Sequence, residues 1–115
     1  MVKKERTIVE IICEVLDDKK AIDINVIDVS KFSSITDHFI IATSGSTPQT
    51  RALMNAVDDE MEKLGLYSPK WHGKIESNWV ILDLGSIIVH VMGPEERKKY
   101  SLEEMWEKTA ITYHM

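Results

Sequence analysis

The sequence has a single cysteine, only three prolines and five glycines, and fewer basic than acidic side chains. One cysteine excludes an internal disulfide and leaves no thiolate cluster for structural zinc, so Cys13 reads as a helix residue near an apolar face. Fourteen Lys and Arg against nineteen Asp and Glu give a formal charge of −5. That sign does not suit a protein whose affinity comes mainly from phosphate contacts, so little or no direct nucleic-acid contact is expected. An acidic domain still suits a basic protein partner, because opposite potentials raise the encounter rate. No apolar run is long enough to cross a bilayer, and the start MVKKERTIVEIICEV has neither an uninterrupted apolar signal core nor a cleavage site. A cytoplasmic location without a membrane partner follows as an expectation.

Several chemical signatures are missing as well. G-x-x-x-x-G-K-S/T, G-x-G-x-x-G and G-x-S-x-G do not occur. The nearest approach to a phosphate cradle is Gly45-Ser46, at the end of an expected strand and the start of an expected helix, where backbone N–H groups can face an anion. Nucleotidyltransferases look similar there, and a nucleotidyltransferase-like enzyme acting on a nucleotide substrate is the rival reading. Its two-metal chemistry needs closely placed carboxylates on a following strand. Asp58 and Asp59 are instead adjacent on a helix and diverge, and the next expected strand offers only Asp83. His38, His72, His90 and His114 are isolated from one another, so zinc ligation would require a coincidence of folding. No catalytic, cofactor-binding or metal-binding residue is assigned.

What is present is a chain of 115 residues, 43% hydrophobic and 29% charged, which suits one compact domain over residues 1–115 with a sizeable core. Ile8, Ile11, Ile12, Val15 and Leu16 fall at helical spacing and predict an amphipathic helix over residues 4–19. β-Branched residues predict a strand over residues 23–28, and HFIIAT a second over residues 38–43, with a polar connection between them. Ser46 or Thr47 caps a second helix with Pro48 in its first turn, its stripe being Leu53, Ala56, Val57, Met61 and Leu64, and Gly65 marks its end. Residues 66–78 lack periodicity and read as a loop covering the sheet.

Two apolar runs flank Gly85-Ser86, the pattern of a tight hairpin. With that turn, Val80, Leu82, Leu84, Ile87, Val89 and Val91 share one face, and Trp79, Ile81, Asp83, Ile88, His90 and Met92 share the other, because side chains alternate along a strand. The first face is core; the second mixes large apolar groups with an acid and an imidazole, as a recognition surface does. Asp83 and His90 stand near-diagonally on it, close enough to interact across strands. Trp79 either fills core or anchors an interface, and Leu84 either closes the core at the hairpin tip or presents an apolar knob. Gly93-Pro94 ends the hairpin and opens a short helix with Glu95 and Glu96 in its first turn. Ser101 and Glu104 have capping-box spacing for a last helix that carries Trp106 inward, and residues 111–115 read as a frayed end. The order α-β-β-α-β-β-α implies an α/β (α+β) domain with a single small mixed sheet packed with helices.

Trp79-Val80-Ile81-Leu82-Asp83-Leu84-Gly85, Val89-His90-Val91-Met92 and the set Arg97, Tyr100, Leu102, Glu103 and Trp106 resemble the signature of the ribosomal silencing factors, the Iojap family. The likeness extends to Ser33-Ser34-Ile35-Thr36-Asp37 and Ala42-Thr43-Ser44-Gly45-Ser46, nearly the whole chain. It implies a nucleotidyltransferase-like topology without enzymatic activity or cofactor. It further implies binding to the large ribosomal subunit through ribosomal protein fourteen, which blocks association with the small subunit and represses translation, and a homodimeric habit. On that reading Trp79, Asp83, Leu84, His90 and Met92 form the centre of the partner-binding surface, with Arg97, Lys98 and Tyr100 flanking it.

Overall fold

The computed structural model describes residues 7–31, 33–66, 71–102 and the backbone of 111–114. Helix α1, Ile8–Asp18, starts where Thr7 and Glu10 satisfy each other's backbone N–H groups in a capping box. It buries Ile12, Cys13 and Leu16. Strands β1, Ile22–Asp28, and β2, His38–Thr43, pair antiparallel. Ser46 then caps α2, Thr47–Lys63, by accepting from the Gln49 N–H at 3.2 Å, with Pro48 in the first turn and Leu53, Val57 and Met61 on the buried face. Because β2 leads through α2 and onward to a parallel neighbour, the chain needs a long crossover, and α2 is the helix within it.

The hairpin forms as its turn chemistry predicts. Strand β4, Trp79–Asp83, pairs with β5, Ile87–Met92, in the register that sets Asp83 opposite Ile88 and Trp79 opposite Met92. Gly85 has φ +87°, in the left-handed region open to glycine. On its other side β5 runs parallel to β2. Helix α3, Pro94–Tyr100, follows directly.

Two segments correct the reading of the sequence. Residues 66–78 are not simply a covering loop: Trp71–His72 forms strand β3 against β4, and a 3-10 turn at Ile75–Ser77 returns the chain to the hairpin. The end is not frayed either, because strand β6, Ile111–His114, pairs antiparallel with β1. The result is an α+β fold on one six-stranded mixed sheet of order β3-β4-β5-β2-β1-β6. Both additions are edge strands, so the hairpin sits inside the sheet rather than at its margin. The proposed last helix with Trp106, and the Glu104 half of its capping box, lie outside the described residues. Ser101 closes α3 in a left-handed conformation, its hydroxyl donating to the Lys98 carbonyl, and Leu102, where the last helix was expected to begin, is helical.

The alternation of side chains divides the apolar residues between two layers. Ile24, Val26, Ile40, Ala42, Val80, Leu82, Ile87, Val89 and Val91 meet α1 and α2 in the main core. On the opposite face Ile27, Val29, Ile41 and Met92 form a smaller cluster, with Phe39, Trp79 and Leu102 packed against it. Parallel pairing and apolar residues on both faces of β2 and β5 belong together, since strands in parallel pairs are usually apolar on both sides.

One backbone contact aims the hairpin. Gly73 has φ +92°, and a Cβ there would lie 2.6 Å from the Trp79 carbonyl oxygen, so main chain meets main chain where β3 turns toward β4. Gly73→Ala is expected to lower stability by about 1.5 kcal/mol, combining a disfavoured φ with a backbone clash. Its urea midpoint should fall while the slope stays constant; an unchanged midpoint would contradict the close approach.

Candidate functional site

The sheet face opposite α1 and α2 holds an aromatic group built from three elements. Strand β4 contributes Trp79, β5 contributes His90, and α3 ends in Tyr100. The Trp79 indole N–H donates to His90 Nδ1 at 3.1 Å. The Tyr100 ring lies tilted against the indole, with ring centroids 4.7 Å apart, and Phe39 of β2 meets the His90 ring edge-to-face at 5.4 Å. Lys99 Nζ stands 5.6 Å from the Tyr100 ring centroid, adding a cation to the outer side. Trp79 is half-buried, Tyr100 is 46% exposed, and His90 is only 7% exposed.

Burial determines the charge on His90. Removal from water pushes its pKa from 6.5 down to about 4, so the ring is neutral near pH 7. A neutral ring that accepts at Nδ1 carries its proton on Nε2. Protonation would set N–H against N–H at the Trp79 contact, which acts in the same direction as burial.

The sequence-derived candidates separate into three groups. Trp79, His90, Met92 and Tyr100 come together on one face, but Met92 is 1% exposed and supports that face from within. Asp83 and Leu84 lie at the far end of β4 from Trp79, beside the turn. Asp83 is exposed and its Oδ1 accepts from the Gly85 N–H at 2.8 Å. It therefore stabilises the turn, and the expected cross-strand pairing with His90 is replaced by the Trp79–His90 hydrogen bond. Leu84 is half-buried against the main core, on the side of the sheet away from the indole. Of the α3 cations, Lys98 is exposed, whereas Arg97 Nη1 donates to Thr43 Oγ1 at 2.8 Å and to the Ile22 carbonyl at 3.4 Å. Arg97 thus ties α3 to the ends of β1 and β2, above an open groove of about 490 Å³.

Phe39 was not among the candidates, although its alternation with Ile41 already places it on the same face as His90. Ile81 and Ile88, half-buried on that face, continue the apolar surface from Trp79 toward Asp83. The face is apolar at its middle, aromatic toward α3 and acidic at the turn.

The Gly45-Ser46 segment is used internally. Gly45 N–H donates to Gln49 Oε1 at 2.7 Å, Ser46 Oγ caps α2, and Ser44 Oγ donates to the Ser46 carbonyl at 2.8 Å. The Gly45 and Gln49 N–H groups at this helix start are thus already paired with side chains of the segment itself. Asp58, one of the two helix carboxylates, accepts from the Trp71 indole N–H at 2.8 Å, a tie between β3 and α2. Among the described residues, no group of three or more His, Cys, Asp and Glu side chains gathers in a way that could hold a metal ion. Among the same residues, no helix is long and apolar enough to cross a membrane.

Comparison with known proteins agrees with this fold. The family model described as ribosomal silencing factor during starvation matches residues 2–114. Ribosomal silencing factor RsfS of Haemophilus influenzae is 39% identical over 99 residues, covering 86% of this chain and 97% of that protein. Its counterpart in Bacillus subtilis is 34% identical over 102 residues, covering 89% of this chain and 86% of that protein. The chloroplastic Iojap protein of Arabidopsis thaliana is 35% identical over 83% of this chain and 40% of its own length. A crystal structure of a Chromobacterium violaceum protein superposes with a TM-score of 0.76 at 36% identity, covering 87% of this chain and 83% of that one.

Proposed function

Because the chain belongs to the ribosomal silencing factor family, we propose that it represses translation by binding the large ribosomal subunit through ribosomal protein fourteen and excluding the small subunit. The mechanism is steric and acts in the cytoplasm. A folded body held on the face where the subunits meet occupies volume that the small subunit needs, so neither bond-making chemistry nor a cofactor is required.

The observation that carries this reading is the half-open aromatic and apolar face across β4, β5 and β2. Trp79, Ile81, Ile88 and Phe39 are all half-buried, and Tyr100 is exposed beside them. An apolar centre with a polar rim is how protein interfaces are generally built, and Trp and Tyr are favoured anchors. Asp83 at one end and Lys98 and Lys99 at the other supply charges of both signs for the rim. His90 and Met92 belong to this site from beneath, while Leu84, beside the turn and on the opposite side of the sheet, is a separate apolar contact at the hairpin tip. The net charge of −5 favours a basic protein over RNA as the principal contact.

The test is sedimentation of the purified chain with separated ribosomal subunits. It should travel with large subunits only, and adding it before small subunits should leave the two unjoined. Sedimentation with neither subunit would defeat the proposal. A homodimer that used the same face would compete, so the bound fraction should be followed across protein concentrations; a curve that climbs more shallowly than a single-site isotherm, as free monomer comes to grow with the square root of total protein, would show self-association at the docking face. The enzyme alternative predicts saturable, magnesium-dependent nucleoside triphosphate binding that is lost when Gly45 or Ser46 is altered.

A further inference from the structure

We propose that His90 is a positioning residue for docking: Nδ1 accepts the Trp79 indole N–H and fixes the plane in which the indole meets the partner. This deepens the function proposed above and rests on it. His90 itself is 7% exposed, so it offers almost no surface of its own to a partner. Its neighbours explain what it does instead. Trp79 and His90 lie on adjacent strands of one hairpin and on one face of it, Trp79 opposite Met92 and His90 opposite Ile81. The pair is therefore diagonal, at a separation that long aromatic side chains can span.

An indole half-buried at a sheet face would keep rotamer freedom unless something held it, and ordering it on binding would reduce affinity. Two contacts restrain it here. The Tyr100 ring, 4.7 Å away, limits one side, but stacking is tolerant of sliding. The 3.1 Å hydrogen bond to Nδ1 is directional and fixes the remaining rotation. His90 is held in turn, because Phe39 abuts the imidazole edge-to-face at 5.4 Å and burial keeps the ring neutral. A neutral acceptor is essential, since an imidazolium has only N–H groups to offer. The chain Phe39, His90, Trp79 and Tyr100 thus runs from β2 to the end of α3, and its one half-buried indole is pre-set for contact.

The experiment combines a double-mutant cycle with a measurement on the free protein. Large-subunit binding is compared for the unmodified chain, His90→Leu, Trp79→Phe and the double variant, with thermal melting recorded for each. His90→Leu should bind about tenfold more weakly, the effect of a lost orienting contact near 1.4 kcal/mol, while melting close to the unmodified chain because an apolar side chain fills the buried site. In the Trp79→Phe background, which has no indole N–H, His90→Leu should cause no further loss. His90→Asn, whose amide oxygen can stand near the Nδ1 position, should restore most of the binding. Equal losses in both backgrounds would show a merely structural role and overturn the proposal.

Nitrogen NMR of the free chain provides the second arm. The His90 shifts at pH 7 should report a neutral ring protonated on Nε2, and the Trp79 indole proton should move in His90→Leu but not be lost. A ring protonated on Nδ1 would overturn the proposal without any ribosome being present. If the unmodified chain fails to bind large subunits, the docking role falls with the functional reading, and the nitrogen shifts still decide whether His90 holds the indole.

Discussion

Trp79→Ala is expected to weaken binding to isolated large ribosomal subunits by about thirtyfold or more, equivalent to about 2 kcal/mol. The indole is the largest side chain of the open face and is held by a hydrogen bond to His90 and by contact with the Tyr100 ring. It can therefore bury its remaining surface against a partner with little further loss of freedom. Folding is the confounder, because truncation also removes a side chain packed against Ile27, Val29, Ile41 and Met92. Melting must be measured beside binding, and Trp79→Phe separates the two effects by keeping most of the packing. Leu84→Ala should act more weakly and independently, since Leu84 lies at the turn and on the other side of the sheet. A stable Trp79→Ala, Leu84→Ala double variant that still binds and still prevents subunit joining would sink the assignment of this surface.

Sequence alternation was enough to recover the hairpin, because both determinants are local. Gly85-Ser86 sets the turn, and the register it dictates is the one observed, Asp83 opposite Ile88 and His90 opposite Ile81. The capped start of α2 was legible for the same reason. Strand β3 was not: two residues form no pattern, and Trp71 is held there by Asp58, thirteen positions earlier on α2. Strand β6 is similar, a short segment at the chain's end whose pairing with β1 no neighbouring residue signals.

The candidate site was legible to a comparable depth. Alternation shows which face a strand residue occupies but not what comes to lie over it. His90 and Met92 share a face with Trp79 as expected, yet the cover over them comes from distant elements. For Arg97, local sequence suggests a free basic helix face, whereas the folded chain turns the guanidinium toward Thr43, 54 positions away. Recognition surfaces are read least well from sequence because exposure is a property of the whole packing.

Acidification gives the second large effect. His90 has its pKa lowered from 6.5 to about 4 in the folded chain because burial disfavours the charged ring. Above about pH 6.5 the ring is neutral whether folded or unfolded, and the chain has its full stability. As pH falls from 6.5 toward 4, the unfolded chain takes up a proton that the folded chain refuses, so stability is lost across that window and levels off below it. The two values imply a loss of about 3 kcal/mol. Asp28, held below the usual carboxylate value first by its hydrogen bonds to Ser30, also loses its contribution on acidification, but only below about pH 3.8. The windows are separate. Urea unfolding of the unmodified chain and of His90→Leu, repeated from pH 7.5 to pH 4, isolates the imidazole because the other titrating groups are common to both. The unmodified chain should lose about 3 kcal/mol more than the variant, with most of the divergence between pH 6.5 and 4. Parallel curves would mean that His90 charges without penalty, and that the imidazole under Trp79 is reached by water.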